Sequence, residues 1–126
     1  MRDEAPLEAA ATKIALARSA RHVFLCLGPS CCTPEVGQAA WEILKQKIKD
    51  AGLADGEHIC QRTKAGCLRI CCHWPTMLVY PEGTWYSGMT ADRIERFVKE
   101  HLIEGRPVRE WIFAEKALEK NGEPGA

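Results

Sequence analysis

The chain has 126 residues, with 17 basic and 17 acidic side chains and a formal net charge of zero, so neither nucleic acid nor an anionic membrane is expected as a general partner. Its length and its 46% hydrophobic content suit one domain, and no apolar run approaches the roughly 18 residues of a membrane span. Seven cysteines are an odd number, and the N-terminus lacks the basic and apolar regions of a signal peptide. A secreted disulfide framework is thereby disfavoured, and thiols kept reduced or metal-bound in a cytoplasmic protein are expected.

In chain order, Leu7 to Ala20 is Ala-rich, with Leu7, Ala10, Ala11, Ile14 and Ala17 on one face and Pro6 in the first turn. This predicts an amphipathic helix, packed on a sheet, that forms an N-terminal extension over 1–20. Arg21 to Leu27 is short, apolar and rich in strand formers, and Gly28-Pro29 ends it as a buried strand. Thr33-Pro34-Glu35 reads as an N-cap, a first-turn proline and a first-turn acid. Helical spacing from Val36 to Ile48 follows, and Gly52 stops it.

His58 to Thr63 is a weaker strand. Thr76 to Tyr80 and Thr84 to Tyr86 form a hairpin about Pro81-Glu82-Gly83. Thr90 opens a second helix with Ile94, Phe97, Val98 and Leu102 inward, and Gly105 and Pro107 close it. Val108 to Ala114 is expected to be extended or irregular, which completes a main domain over 21–114. A tail follows over 115–126, frayed from Asn121 onward.

The cysteines carry the chemistry. No pair reads C-x-x-C, and the spacings fit neither C₂H₂ nor paired-knuckle zinc sites. Cys26 with Cys31-Cys32, and Cys67 with Cys71, instead form two cysteine-bearing turns that can close on a 2Fe–2S cluster, which needs four thiolates. Cys60 on a strand and Cys72 next to a ligand read as inert thiols. His73 does not make a Rieske centre, because that requires two histidines on one iron. His22, His58 and His101 show no spacing that implies a site.

No Ser/His/Asp constellation, phosphate-binding glycine motif or paired catalytic carboxylates are evident, so electron transfer is expected rather than enzymatic bond-making. A structural or interaction protein with a Cys₄ zinc site is the alternative from a different class. Thiol-redox chemistry at Cys31-Cys32 or Cys71-Cys72 is disfavoured by the strained ring that adjacent cysteines form.

Strand–helix–strand at the start requires a right-handed crossover and a parallel pair, to which the hairpin adds antiparallel strands. The expected architecture is α/β (α+β): a thioredoxin-like mixed sheet flanked by helices, one on each side. At this point the chain resembles the thioredoxin-like 2Fe–2S ferredoxins, whose module also occurs in the small 2Fe–2S subunit of respiratory NADH dehydrogenase and in hydrogenase subunits. The matching stretches are His22 to Cys26, Arg62 to Cys71, Val79 to Tyr86, and His101 to Ile103 before Gly105-Arg106-Pro107.

The resemblance implies a small soluble one-electron carrier with one 2Fe–2S cluster on Cys26, Cys32, Cys67 and Cys71. Cys31 stands as the alternative to Cys32. The family's shortest loops favour Cys31, whereas continuity with the helix favours Cys32, where the helix dipole also favours a thiolate. It further implies redox partner proteins and a homodimer interface in the region of Trp85 and Tyr86. A subunit of a larger redox complex is an alternative that the short N-terminal extension disfavours. From His58 to Pro81 the chain has Arg62, Lys64 and Arg69 but no acid. These cations either stay solvated beside an anionic cluster or form a basic rim for an acidic docking surface.

Overall fold

The computed structural model describes residues 4–27, 33–70 and 72–118. Helix α1 (Ala5–Lys13) starts with proline in its first turn, as expected, but stops well short of Ala20. Ala15 adopts a left-handed conformation, φ 55°, and a short 3₁₀ turn at Leu16–Arg18 leads directly into β1 (Ser19–Cys26). The expected packing on the sheet is not found: no residue of α1 is buried, and Leu7 and Ile14 are more than half exposed. A stripe made mostly of alanine offers little apolar area to drive docking. Polar contacts tether the segment instead, with Gln61 Nε2 donating to the Ile14 carbonyl at 3.4 Å and Arg18 Nη1 to the Gly56 carbonyl at 2.6 Å.

Helix α2 (Pro34–Asp50) is capped by Thr33, whose hydroxyl accepts the Val36 N–H at 3.4 Å. Next come β2 (Ile59–Ala65), β3 (Met77–Tyr80) and β4 (Thr84–Tyr86). Helix α3 (Ala91–Phe97) then continues as a π-helical segment over Val98–Ile103. A 3₁₀ turn at Arg109–Trp111 precedes a fifth strand, β5 (Ile112–Glu115), in the stretch expected to be extended or irregular. Pairing with β4 creates this strand: Trp85 lies opposite Ala114, and the Lys116 N–H donates to the Gly83 carbonyl at 2.8 Å.

The strands lie in the order β2-β1-β3-β4-β5. β1 and β2 are parallel, as the crossover requires, and the other pairings are antiparallel. On one face Val23, Leu25, Met77, Val79 and Tyr86 meet Trp41, Leu44 and Ile48 of α2 together with Ile94 and Phe97 of α3. The two helices therefore share one core and pack on each other, in contrast to the expectation of one on each side.

The opposite face is aromatic. His22 and Phe24 stack with ring centroids 4.3 Å apart, Phe24 meets Tyr80 edge-on, and Trp85 lies 6.3 Å from Phe113.

Candidate functional site

Parallel pairing brings the C-terminal ends of β1 and β2 together. Cys26, the last residue of β1, lies opposite Ala65, and Cys67 follows two residues later. The Leu27 N–H donates to the Ala65 carbonyl at 2.9 Å, and the Cys26 N–H to the Thr76 carbonyl at 2.9 Å, so three chain segments are fixed at this end of the sheet. Cys26 is fully buried, whereas Cys67 is exposed. The structure thus brings two of the four expected ligands to one end of the sheet. Cys31, Cys32 and Cys71 lie outside the described residues. Thr33 and the start of α2 follow Cys31-Cys32 directly in the chain.

The loop after β2 is held by backbone geometry. Arg69 has φ 69°, in the left-handed region, and its N–H donates to Cys67 Sγ at 3.2 Å. A hydrogen bond of this kind stabilises a thiolate over a thiol. Around Gly66 a Cβ would find no atom of the described residues within 4 Å. Thr76, fully buried, donates its hydroxyl to the Ile70 carbonyl at 3.2 Å. His73 is also left-handed, φ 52°, and its carbonyl accepts the Gly88 N–H at 2.5 Å, while that of Pro75 accepts the Met89 N–H at 3.0 Å. Non-glycine residues held at positive φ concentrate where function over-determines the backbone.

The remaining cysteines separate cleanly. Cys60 belongs to the core, where burial pushes its thiol up to about 12, so it stays protonated. Cys72 and His73 are both exposed. Among the described residues, no three His, Cys, Asp or Glu side chains converge as a metal site.

Arg62 and Lys64 lie over the Trp41 ring, 5.2 and 5.5 Å from its centroid. Neither they nor Arg69 form an ion pair among the described residues.

A polar chain that sequence patterning did not reveal lies at the other end of the sheet. The Val108 N–H donates to Tyr86 Oη at 3.0 Å, and Tyr86 Oη and His101 Nδ1 are 2.7 Å apart. His101 Nε2 lies 2.9 Å from Glu82 Oε2, which also accepts Arg21 Nε–H at 2.8 Å. Every proton has an acceptor when Tyr86 donates to Nδ1 and His101 donates from Nε2, so the neutral imidazole satisfies the chain. Burial lowers the pKa of the fully buried His101. For Glu82, hydrogen bonds from Arg21 and His101 outweigh the opposing effect of burial and hold its pKa below the usual value. The signal available in the sequence was a glutamate in a turn and a histidine in a helix, and no spacing rule connects them.

The chain matches no family model. A relative from Priestia megaterium, named as a 2Fe–2S ferredoxin, is 32% identical over 94 residues, covering 75% of this chain and 70% of the relative. The chain belongs to the 2Fe–2S ferredoxin family. A 2Fe–2S ferredoxin of Clostridium pasteurianum is 29% identical over 92 residues, covering 90% of that relative. Among solved structures, a cysteine-to-serine variant of the thioredoxin-like 2Fe–2S ferredoxin from Aquifex aeolicus superposes with a TM-score of 0.64 at 25% identity, covering 75% of this chain and 98% of the other. The mixed five-stranded sheet of this ferredoxin is accordingly thioredoxin-like, as its strand order implied.

Proposed function

We propose that this ferredoxin holds one 2Fe–2S cluster on the thiolates of Cys26, Cys32, Cys67 and Cys71, with Cys31 as the alternative to Cys32, and passes single electrons between protein partners without being an enzyme. The observation that carries this reading is the meeting of Cys26 and Cys67 at one end of neighbouring parallel strands, with the Arg69 N–H aimed at Cys67 Sγ over 3.2 Å. The residues fit such a group: one sulfur already accepts a backbone donor, and no described residue crowds the adjacent Gly66. When bound, the cluster supplies a site for one electron. The protein's part is to hold thiolate charge at Cys67, to bury Cys26 away from water, and to fix the second loop through Thr76, Gly88 and Met89.

Iron and acid-labile sulfide analysis of the full chain, with electron paramagnetic resonance of the reduced protein, tests the assignment. A red-brown protein with equal iron and sulfide is expected, and a colourless protein holding zinc overturns it.

The partner has an acidic docking surface, facing the rim of Arg62, Lys64 and Arg69, and works in the cytoplasm. The absence of ion pairs on those cations among the described residues supports this, since complementary charge raises encounter rates of short-lived redox complexes. A second copy of the chain covers the aromatic sheet face, where Phe113 is 46% exposed beside Trp85. Sedimentation should give a dimer that Phe113→Asp converts to a monomer, and an unmodified chain that sediments as a monomer removes this part of the reading.

A further inference from the structure

The second cysteine loop has cations on its other flank too. Trp111, half-buried, carries Arg93 and Arg96 against its ring, each 4.9 Å from the centroid. The two cations differ in one respect that matters. Arg96 is closed off by Glu100 at 2.6 Å and Glu110 at 2.5 Å. Arg93 makes no ion pair among the described residues, although Asp92 and Glu110 both feel its charge.

Arg93 also lies beside the Gly88 turn, which is hydrogen-bonded to the loop. A methyl group placed on Gly88 would sit 3.5 Å from Arg93 Nη1 and 4.0 Å from the His73 carbonyl, and that carbonyl already accepts the Gly88 N–H. The Trp111 carbonyl accepts the Ser87 N–H at 3.1 Å, which ties the backbone that bears the indole to the same junction. Beside it lie the exposed Cys72, His73 and Trp74, the last 37% exposed.

We propose that Arg93, held over the Trp111 ring, is the carboxylate anchor of the face through which the second cysteine loop meets an acidic redox partner. The proposal rests on the carrier reading above and adds a contact on the α3 side, separate from Arg62, Lys64 and Arg69. A guanidinium held against an indole by cation–π attraction keeps its N–H donors, which can bind a carboxylate in two parallel hydrogen bonds. That attraction also restrains the side chain before any partner arrives, so less freedom is lost on binding. The exposed indole of Trp74 adds the kind of rigid aromatic contact on which such interfaces rely.

The four tryptophans of the chain report on different faces: Trp41 under Arg62 and Lys64, Trp74 on the loop, Trp111 under Arg93, and Trp85 on the sheet face remote from the helices. The cluster-loaded full chain, labelled with 5-fluorotryptophan, is titrated with oligoglutamate at low salt and followed by fluorine magnetic resonance. A saturable shift at Trp111, with Trp85 still, is expected. Arg93→Gln should weaken the Trp111 response about tenfold while leaving that of Trp41 unchanged. Arg93→Lys, which keeps the charge but not the planar fork, should also weaken it and provides the test should the Gln variant fail to fold.

A shift at Trp41 alone overturns the Arg93 anchor and leaves the basic rim standing. A Trp111 shift that ignores both Arg93 substitutions, or equal shifts at all four rings, overturns it as well. No shift anywhere removes the anchor and the rim together. The visible spectrum of the same samples reports separately on the carrier reading.

Discussion

The backbone N–H of Arg69 points at Cys67 Sγ across 3.2 Å because Arg69 itself sits at φ 69°. Backbone conformation and thiolate stabilisation are therefore one feature, and substitutions can separate it from the Arg69 charge. Arg69→Gly keeps the N–H and accepts the left-handed backbone, so cluster content should equal that of the unmodified protein. Arg69→Pro removes the donor and cannot adopt positive φ, and should deplete the cluster severely. Visible absorption per chain measures both, and a fully loaded proline variant would refute the argument.

Removal of one thiolate leaves an iron without a ligand, so Cys26→Ala, Cys67→Ala and Cys71→Ala should each lose most of the visible absorption. Cys60→Ala should keep it, since that thiol lies in the core with its pKa pushed up to about 12. Cys32→Ser should bleach or shift the spectrum while Cys31→Ser remains near the unmodified protein. The reverse result moves the ligand to Cys31.

The far end of the sheet should govern stability against acid. His101 is neutral and fully buried, with Tyr86, Glu82, Arg21 and Arg109 as the titratable or charged groups around it, and burial lowers its folded pKa below that of the unfolded chain. The unfolded state thus takes up the proton first. Stability from this group is complete above about pH 6.5 and is lost as pH falls through the folded pKa. Glu82, also lowered, acts in the same sense at more acidic pH. The melting temperature should fall from pH 7.5 to 5.5, and His101→Gln should flatten that fall. Loss of the buried contacts should cost about 2 to 3 kcal/mol at neutral pH.

Gly83 sits at φ 70°, and a Cβ there would meet the Lys116 carbonyl oxygen at 1.9 Å. Gly83→Ala should therefore destabilise the chain by about 3 kcal/mol or more, through strain and through displacement of the segment after β5. Chemical denaturation checks this, and hydrogen exchange should show β5 opening first. An unchanged midpoint would show that the segment yields without cost.

Electron transfer to an acidic partner should slow as ionic strength rises, because exposed charges are screened over about 8 to 10 Å at physiological salt. Arg69→Glu should slow association further, with the potential measured alongside to separate the two effects. A rate indifferent to both salt and charge reversal would reduce the rim to a solvated surface.

What could be read from the sequence was whatever local chemistry decides. Thr33 and Gly52 bound α2, and the β1–α2–β2 crossover makes a parallel pair, each for reasons contained in a few neighbouring residues, whereas Thr90 precedes α3 without capping it, its hydroxyl donating to Asp92 Oδ1 instead. The side of the sheet taken by α3 was not among them. This helix follows an antiparallel strand, and no handedness rule places it. Nor was β5, since Ile112-Phe113-Ala114-Glu115 has no alternation and becomes a strand through its partner β4. That Cys26 and Cys67 come to one end of the sheet follows from the parallel pairing of the strands that precede them. The Arg69 N–H and the Arg93–Trp111 contact depend on backbone angles and on residues distant in sequence, and periodicity carries neither.

The position of β2 at the sheet margin has a consequence of its own. Among the described residues, one side of its backbone faces no other strand of the sheet, yet Arg62 and Lys64 stand on it, leaning over Trp41. Cations along an open margin discourage a foreign strand from zipping onto it. Contacts at this end are thereby confined to side chains, which separate far more readily than a shared ladder of backbone bonds. A protein that must release each visitor before receiving the next is suited by a border that resists permanent extension.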